Sequence, residues 1–167
     1  MKSLGILLVF LTGTGCGLLG YLRLKRRACS LELLTRLCEQ LSERIRYTAA
    51  PLEELLRSLA AATEFETFCL LRCVRRQPLG DPRGALLEAL VQSADELGIT
   101  RDDRRLFEEF AADFGAADLM GEVQRCRQYA ALFRERCEAA REDVRCRGRL
   151  YVTLGLCGGS ALALVLG

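Results

Sequence analysis

No histidine and no tryptophan occur in this chain of 167 residues, and proline appears only three times. Without histidine the commonest general base and the commonest metal ligand are both missing. The chain does hold nine cysteines. No C-x-x-C is among them, so zinc lacks a recognisable ligand set. Glycine-rich phosphate loops and G-x-S-x-G elbows are absent too. Carboxylates are plentiful, as in Glu53-Glu54 and Glu108-Glu109, but adjacent residues on a helix point in different directions. They read as solvated faces rather than acid/base pairs. Neither an enzyme nor a resident cofactor is expected from this inventory. The net charge of +2 is too small to suggest a nucleic-acid partner.

Charge is also missing from both ends. Residues 4–22 carry none, and Arg23, Lys25, Arg26 and Arg27 follow at once. Residues 150–167 carry none, and Arg145, Arg147 and Arg149 come just before them. As helices these stretches reach about 28 and 27 Å, against a hydrocarbon core of about 30 Å. The ten Leu, Ile, Val and Phe residues of the first favour insertion by roughly 3–6 kcal/mol, of which one central arginine would cancel about 3. A cleavable signal peptide fits less well, because the basic cluster follows the apolar run and no A-x-A site appears. Two transmembrane helices are therefore expected, at 4–22 and 150–167, around a helical domain at 28–149. Basic residues stay on the cytoplasmic side of a span. All of them except Lys2 lie between the two runs. The middle domain should face the cytoplasm, with both termini on the opposite side. The basic edges suit anionic headgroups. Gly13 with Gly17, and Gly155 with Gly159, space small residues for close span packing.

Outside these runs lie Cys29, Cys38, Cys69, Cys73, Cys126, Cys137 and Cys146. A cytoplasmic domain keeps thiols reduced, and a reduced cysteine packs as a small apolar residue. Cys69 and Cys73 share one helical face. They leave a membrane-anchored thiol sensor as an alternative reading.

The middle domain is short of β-branched alternation and rich in Leu, Ala, Glu and Arg, which makes it helical throughout. Leu31, Leu34, Cys38, Leu41 and Ile45 recur at three- and four-residue steps. Ala49-Ala50-Pro51 should end that helix, with Pro51 in the first turn of the next, whose apolar face is Leu52, Leu55, Leu56 and Leu59. A short helix is expected from Phe65 to Arg76, then a loop from Pro78 to Gly84. Leu86, Leu87, Leu90, Ala94 and Leu97 form another apolar face, closed by Gly98. Thr100 and Asp103 have capping-box spacing. Phe107, Phe110 and Phe114 share a stripe that ends at Gly115. The last helix should start near Asp118, with Val123, Cys126, Ala130, Phe133, Cys137, Ala140 and Val144 on heptad a and d positions.

Three stretches carry a resemblance to a known family. They are residues 44–54 (RIRYTAAPLEE), residues 106–118 (LFEEFAADFGAAD, leading to Gln124) and residues 149–155 (RLYVTLG). In order, spacing and chain length the sequence resembles the stage III sporulation protein AB family of endospore-forming bacteria. The resemblance implies a part of the secretion-like channel joining mother cell and forespore. It also implies a helical domain similar to the cytoplasmic domains of type II secretion F and type IV pilus platform proteins. Such platforms join a cytosolic ATPase, here of the stage III sporulation protein AA type, to other channel membrane subunits.

The resulting expectation is an all-α helical bundle between two spans, acting as a non-catalytic platform, with a second copy of the chain among its candidate partners. Glu53, Glu54, Arg57, Arg104, Arg105 and Glu108 are its candidate contact residues for partners. A platform subunit of a secretion or pilus system outside sporulation is the other alternative.

Overall fold

The computed structural model describes the backbone of residues 2–48, 50–76 and 80–166, and the side chains of residues 15, 17–48, 50–76, 80–148 and 153. It is all-helical over the described residues. Six α-helices follow one another: α1 (Lys2–Tyr47), α2 (Leu52–Ala60), α3 (Cys69–Val74), α4 (Pro82–Leu97), α5 (Arg101–Asp113) and α6 (Leu119–Leu166). A 3-10 turn at Thr63–Phe65 precedes α3. Among the described residues no helix is long and apolar enough to cross a membrane. Most side chains of the two charge-free runs, including Cys16 and Cys157, lie outside the described residues.

The chain divides into two compact units. Met1–Ala28 and Glu138–Gly167 form one, and Cys29–Cys137 the other. The boundaries fall inside α1 and α6, so each long helix contributes to both units.

The Cys29–Cys137 unit is a bundle with a leucine and phenylalanine core. Leu31, Leu34, Cys38, Leu41 and Ile45 of α1 are all buried, as their spacing predicts. Leu37 adds to that face. From α6, Val123, Cys126, Ala130, Phe133 and Cys137 are buried, and in the other unit Ala140 is buried and Val144 half-buried. Five aromatic rings tie α5 to α6. Phe110 lies 5.6 Å from Phe114 and 5.3 Å from Tyr129, and Phe107 lies 6.4 Å from Phe133. Rings at these distances add about 0.5–1.5 kcal/mol per pair to the burial itself.

Local chemistry sets the helix ends. Pro51 is the N-cap of α2, one position earlier than expected. Asp81 caps α4 by accepting from the Arg83 N–H, and Pro82 takes the first helical position. The helix therefore begins inside the expected 78–84 loop, because proline suits a first turn, where its missing N–H costs nothing. Pro78 and Leu79 of that loop lie outside the described residues. Gly98, at φ 63°, ends α4 in left-handed geometry. Thr100 and Asp103 form the expected capping box on α5. Gly115, at φ 81°, reverses the chain after α5.

The expected helix from Phe65 to Arg76 is instead a 3-10 turn followed by the six residues of α3. Phe68 sits between them in extended geometry. This break sends both Phe65 and Phe68 into the core, with rings 6.4 Å apart. Burying two large rings outweighs the short run of helix lost.

In the other unit, α1 and α6 run antiparallel in contact. Arg27 pairs with Asp143 at 3.7 Å. Six residues earlier in α1, Tyr21 lies over Gly148, five residues later in α6. A Cβ at position 148 would come within 2.8 Å of the Tyr21 ring.

Candidate functional site

The most distinctive surface of the bundle lies where α1 ends and α6 begins. An apolar cavity of about 240 Å³ opens there. Ile45 from α1, Ala50 and Pro51 from the linker, and Leu52 and Leu55 from α2 line one part. Ala117 and Leu119 line another, and Glu122 is its sole ionisable lining residue. Three large apolar side chains from the same segments stand in solvent: Tyr47, Leu119 and, at 71 % exposed, Met120. A run of apolar surface rimmed by polar residues marks a place for a partner.

Glu122 gives this end its rigidity. It is only 2 % exposed. Its Oε1 accepts from the Gly115 N–H at 3.0 Å, the Ala117 N–H at 3.1 Å and the Arg125 guanidinium at 2.9 Å. Arg125 also donates to the Asp113 carbonyl oxygen. One carboxylate oxygen thus gathers the whole α5–α6 turn, while Asp118 caps α6 by accepting from the Gly121 N–H. The second oxygen, Oε2, is buried and has no partner among the described residues. A half-satisfied buried carboxylate is costly to hold, so the geometry here is over-determined by its three donors. Neither Glu122 nor the cavity stood out in the sequence. Glu122 sits one residue past the capping-box position of α6, and its partners are backbone groups of a preceding turn.

The charged residues expected to contact partners are spread over two places. Glu53 and Glu54 occupy the first turn of α2, where carboxylates suit the helix dipole. That turn also supplies Leu52 and Leu55 to the cavity. Glu54 and Arg57 are exposed and Glu53 is half-buried. Arg104 and Glu108 face each other on α5 at 2.8 Å, and Arg105 is exposed.

The cysteines are mostly packing groups. Cys38 and Cys126 are wholly buried, and Cys69 and Cys137 nearly so. Burial pushes the Cys126 thiol up from 9.0 to about 12, and the Glu122 carboxylate nearby adds to the shift. Cys38 is pushed well up by burial, then by Cys126 and Glu39. Cys69 is raised by burial and then by Glu96. A thiol held protonated is a poor nucleophile and a poor ligand. Among the described residues no group of three or more Cys, Asp or Glu is placed to hold a metal ion.

Of the basic residues that edge the charge-free runs, Arg23, Lys25, Arg26, Arg145 and Arg147 are exposed and Arg27 is half-buried. Arg27 and Arg147 both pair with Asp143. The Arg149 side chain lies outside the described residues, as do the surroundings of Gly13, Gly155 and Gly159. Gly17 is buried.

No curated protein and no solved structure matches the chain. A family model does match, over residues 2–167, and its description is stage III sporulation protein AB. With essentially the whole sequence covered, including both long helices and the turn built on Glu122, the chain belongs to the stage III sporulation protein AB family.

Proposed function

We propose that this sporulation protein is a non-catalytic membrane platform whose helical bundle docks a cytosolic ATPase. The observation that carries the docking half is the exposed Tyr47, Leu119 and Met120 surface around the apolar cavity. Such a surface costs solubility unless it is covered. The anchoring half is supported by the charge-free runs at 4–22 and 150–167 and by the arginines between them. On this reading the bundle faces the mother-cell cytoplasm, both termini lie across the membrane, and the Gly13/Gly17 and Gly155/Gly159 pairs pack the spans on each other or on other channel subunits. The whole protein is one component of a secretion-like channel between mother cell and forespore. The likeness to type II secretion F platforms that the family resemblance implies favours an ATPase of the stage III sporulation protein AA type as the docked partner. The chain's work is to place that motor at the membrane. Burial of Cys69, which pushes its thiol up, favours this reading over a thiol sensor built on Cys69 and half-buried Cys73.

Affinity isolation of the full-length protein from sporulating cells tests the proposal. The expected result is co-recovery of a secretion-type ATPase and of membrane channel subunits. Recovery of neither overturns it.

A further inference from the structure

The unit built from the two chain ends carries a second surface, made of exposed residues of α1 with Arg145 of α6. The inward stripe of α1 is Gly17, Tyr21, Leu24 and Ala28, at steps of four, three and four. Gly17 and Ala28 are buried, Leu24 is half-buried, and Tyr21 rests on Gly148. The outward face is amphipathic along its length. Leu18, Leu19 and Leu22 stand exposed, Leu19 at 60 %. One turn further on, exposed cations take over the same rows: Leu19 leads to Arg23, Leu22 to Arg26, and Leu18 to Lys25 after two turns. A one-turn step is about 6 Å along the axis. That is the scale on which a bilayer changes from acyl chain to headgroup phosphate.

Asp143 divides six cations at the edges of the charge-free runs into two groups. It pairs with Arg27 at 3.7 Å and with Arg147 at 3.3 Å. Arg23, Lys25, Arg26 and Arg145 are exposed, with no ion pair among the described residues. Four exposed cations therefore carry no ion pair among the described residues, three of them following exposed leucines along α1, while half-buried Arg27 and exposed Arg147 share one carboxylate.

We propose that Arg23, Lys25, Arg26 and Arg145 bind anionic phospholipid headgroups, while Asp143 competes with headgroups for Arg27 and Arg147 by pairing with both. The proposal rests on the membrane reading given above. Charge complementarity selects the lipid class, because the patch has exposed cations, no exposed carboxylate between Leu18 and Arg26, and an apolar border. Phosphatidylglycerol meets this chemistry and zwitterionic phosphatidylcholine does not.

The test uses the full chain, first reconstituted in vesicles and then in detergent with equal amounts of phosphatidylglycerol and phosphatidylcholine. Native mass spectrometry reads the lipids retained. Each headgroup-facing cation contributes about fivefold in affinity, so an overall preference of at least roughly tenfold for phosphatidylglycerol is expected. Changing Arg23, Lys25, Arg26 and Arg145 together to Gln should bring the ratio to near one. Changing Arg27 and Arg147 to Gln should leave it within about twofold, on the expectation that ion-paired groups contribute little. Asp143→Asn, which releases two arginines, should raise it. Replacing Arg23, Arg26 and Arg145 by Lys should preserve the preference and shows that charge rather than fold is being read. A fourfold variant that keeps its preference, or loss of preference in the Arg27/Arg147 variant alone, overturns the proposal. Extraction of the reconstituted chain by alkaline carbonate sinks the membrane reading and this proposal together. A chain that resists carbonate but retains both lipids equally sinks this proposal alone.

Discussion

Cys126 shows how one side chain records its surroundings. It is fully buried on α6, one turn beyond Glu122, and its thiol is pushed up from 9.0 to about 12. In the unfolded chain the thiol loses its proton near the ordinary value. Between these two values the folded state holds more protons than the unfolded state. The stability that Cys126 contributes by staying neutral is therefore complete below about pH 9 and is lost as pH rises towards 12. Three units correspond to on the order of 4 kcal/mol at most. Thermal unfolding followed by circular dichroism at pH 8 to 11 should show a falling melting temperature, and Cys126→Ala should flatten that fall while lowering stability at pH 8. An equal slope in both proteins would mean that other groups set the alkaline limit. The same burial predicts slow modification of Cys38 and Cys126 by a maleimide, with exposed Cys29 and Cys146 reacting first.

At the level of elements, the contact between α1 and α6 depends on a residue that no motif announced. Gly148 allows the Tyr21 ring to lie against the α6 backbone, and a Cβ there would approach the ring to 2.8 Å. Alanine is a better helix former than glycine by about 1 kcal/mol, whereas overpacking costs about 1–3. Gly148→Ala should therefore destabilise the full chain by about 1 kcal/mol, and in a Tyr21→Ala background the same change should stabilise it by a similar amount. Melting temperatures of the four proteins in one double-mutant cycle measure this; a loss of stability in both backgrounds would place the clash elsewhere. The sequence pattern pointed to glycine pairs four apart, but Gly148 stands outside them, because its role depends on which residue faces it from another helix. Features set by neighbours in the chain were readable: the α1 stripe from Leu31 to Ile45, the Thr100–Asp103 box, the Gly98 stop and the Phe107, Phe110 and Phe114 row. Features set by distant groups were not. The split at Phe68 follows from where two rings find room, and the start of α4 at Pro82 was hidden because a proline-glycine cluster resembles a loop until Asp81 is seen to cap it. The cavity required three separate segments to meet, and its Glu122 looked like any first-turn carboxylate.

On the scale of the whole molecule, most of the chain is committed to packing. Core leucines and phenylalanines fill the bundle, ion pairs such as Arg104–Glu108 sit on its surface, and two long helices run through both units. Surface ion pairs of that kind contribute about 0–1 kcal/mol and give no reason for Met120 and Leu119 to remain in solvent. Those two side chains, with Tyr47, are the best place to separate docking from folding. Met120 is 71 % exposed, so Met120→Glu should change stability by no more than about 0.5 kcal/mol. Combined with Leu119→Ser it should place charge and polarity on the apolar rim of the cavity. If the ATPase docks there, the double variant should reach the membrane in normal amount, melt normally, and lose co-isolation of the ATPase by at least roughly tenfold, as anchor residues at the centre of an interface do. Charge reversal at Arg105, exposed on α5, provides the contrast: it should leave co-isolation nearly intact. The reverse outcome, with Arg105→Glu abolishing capture and the Leu119/Met120 variant retaining it, would move the docking surface to the charged face of α5 and leave the cavity as a packing defect.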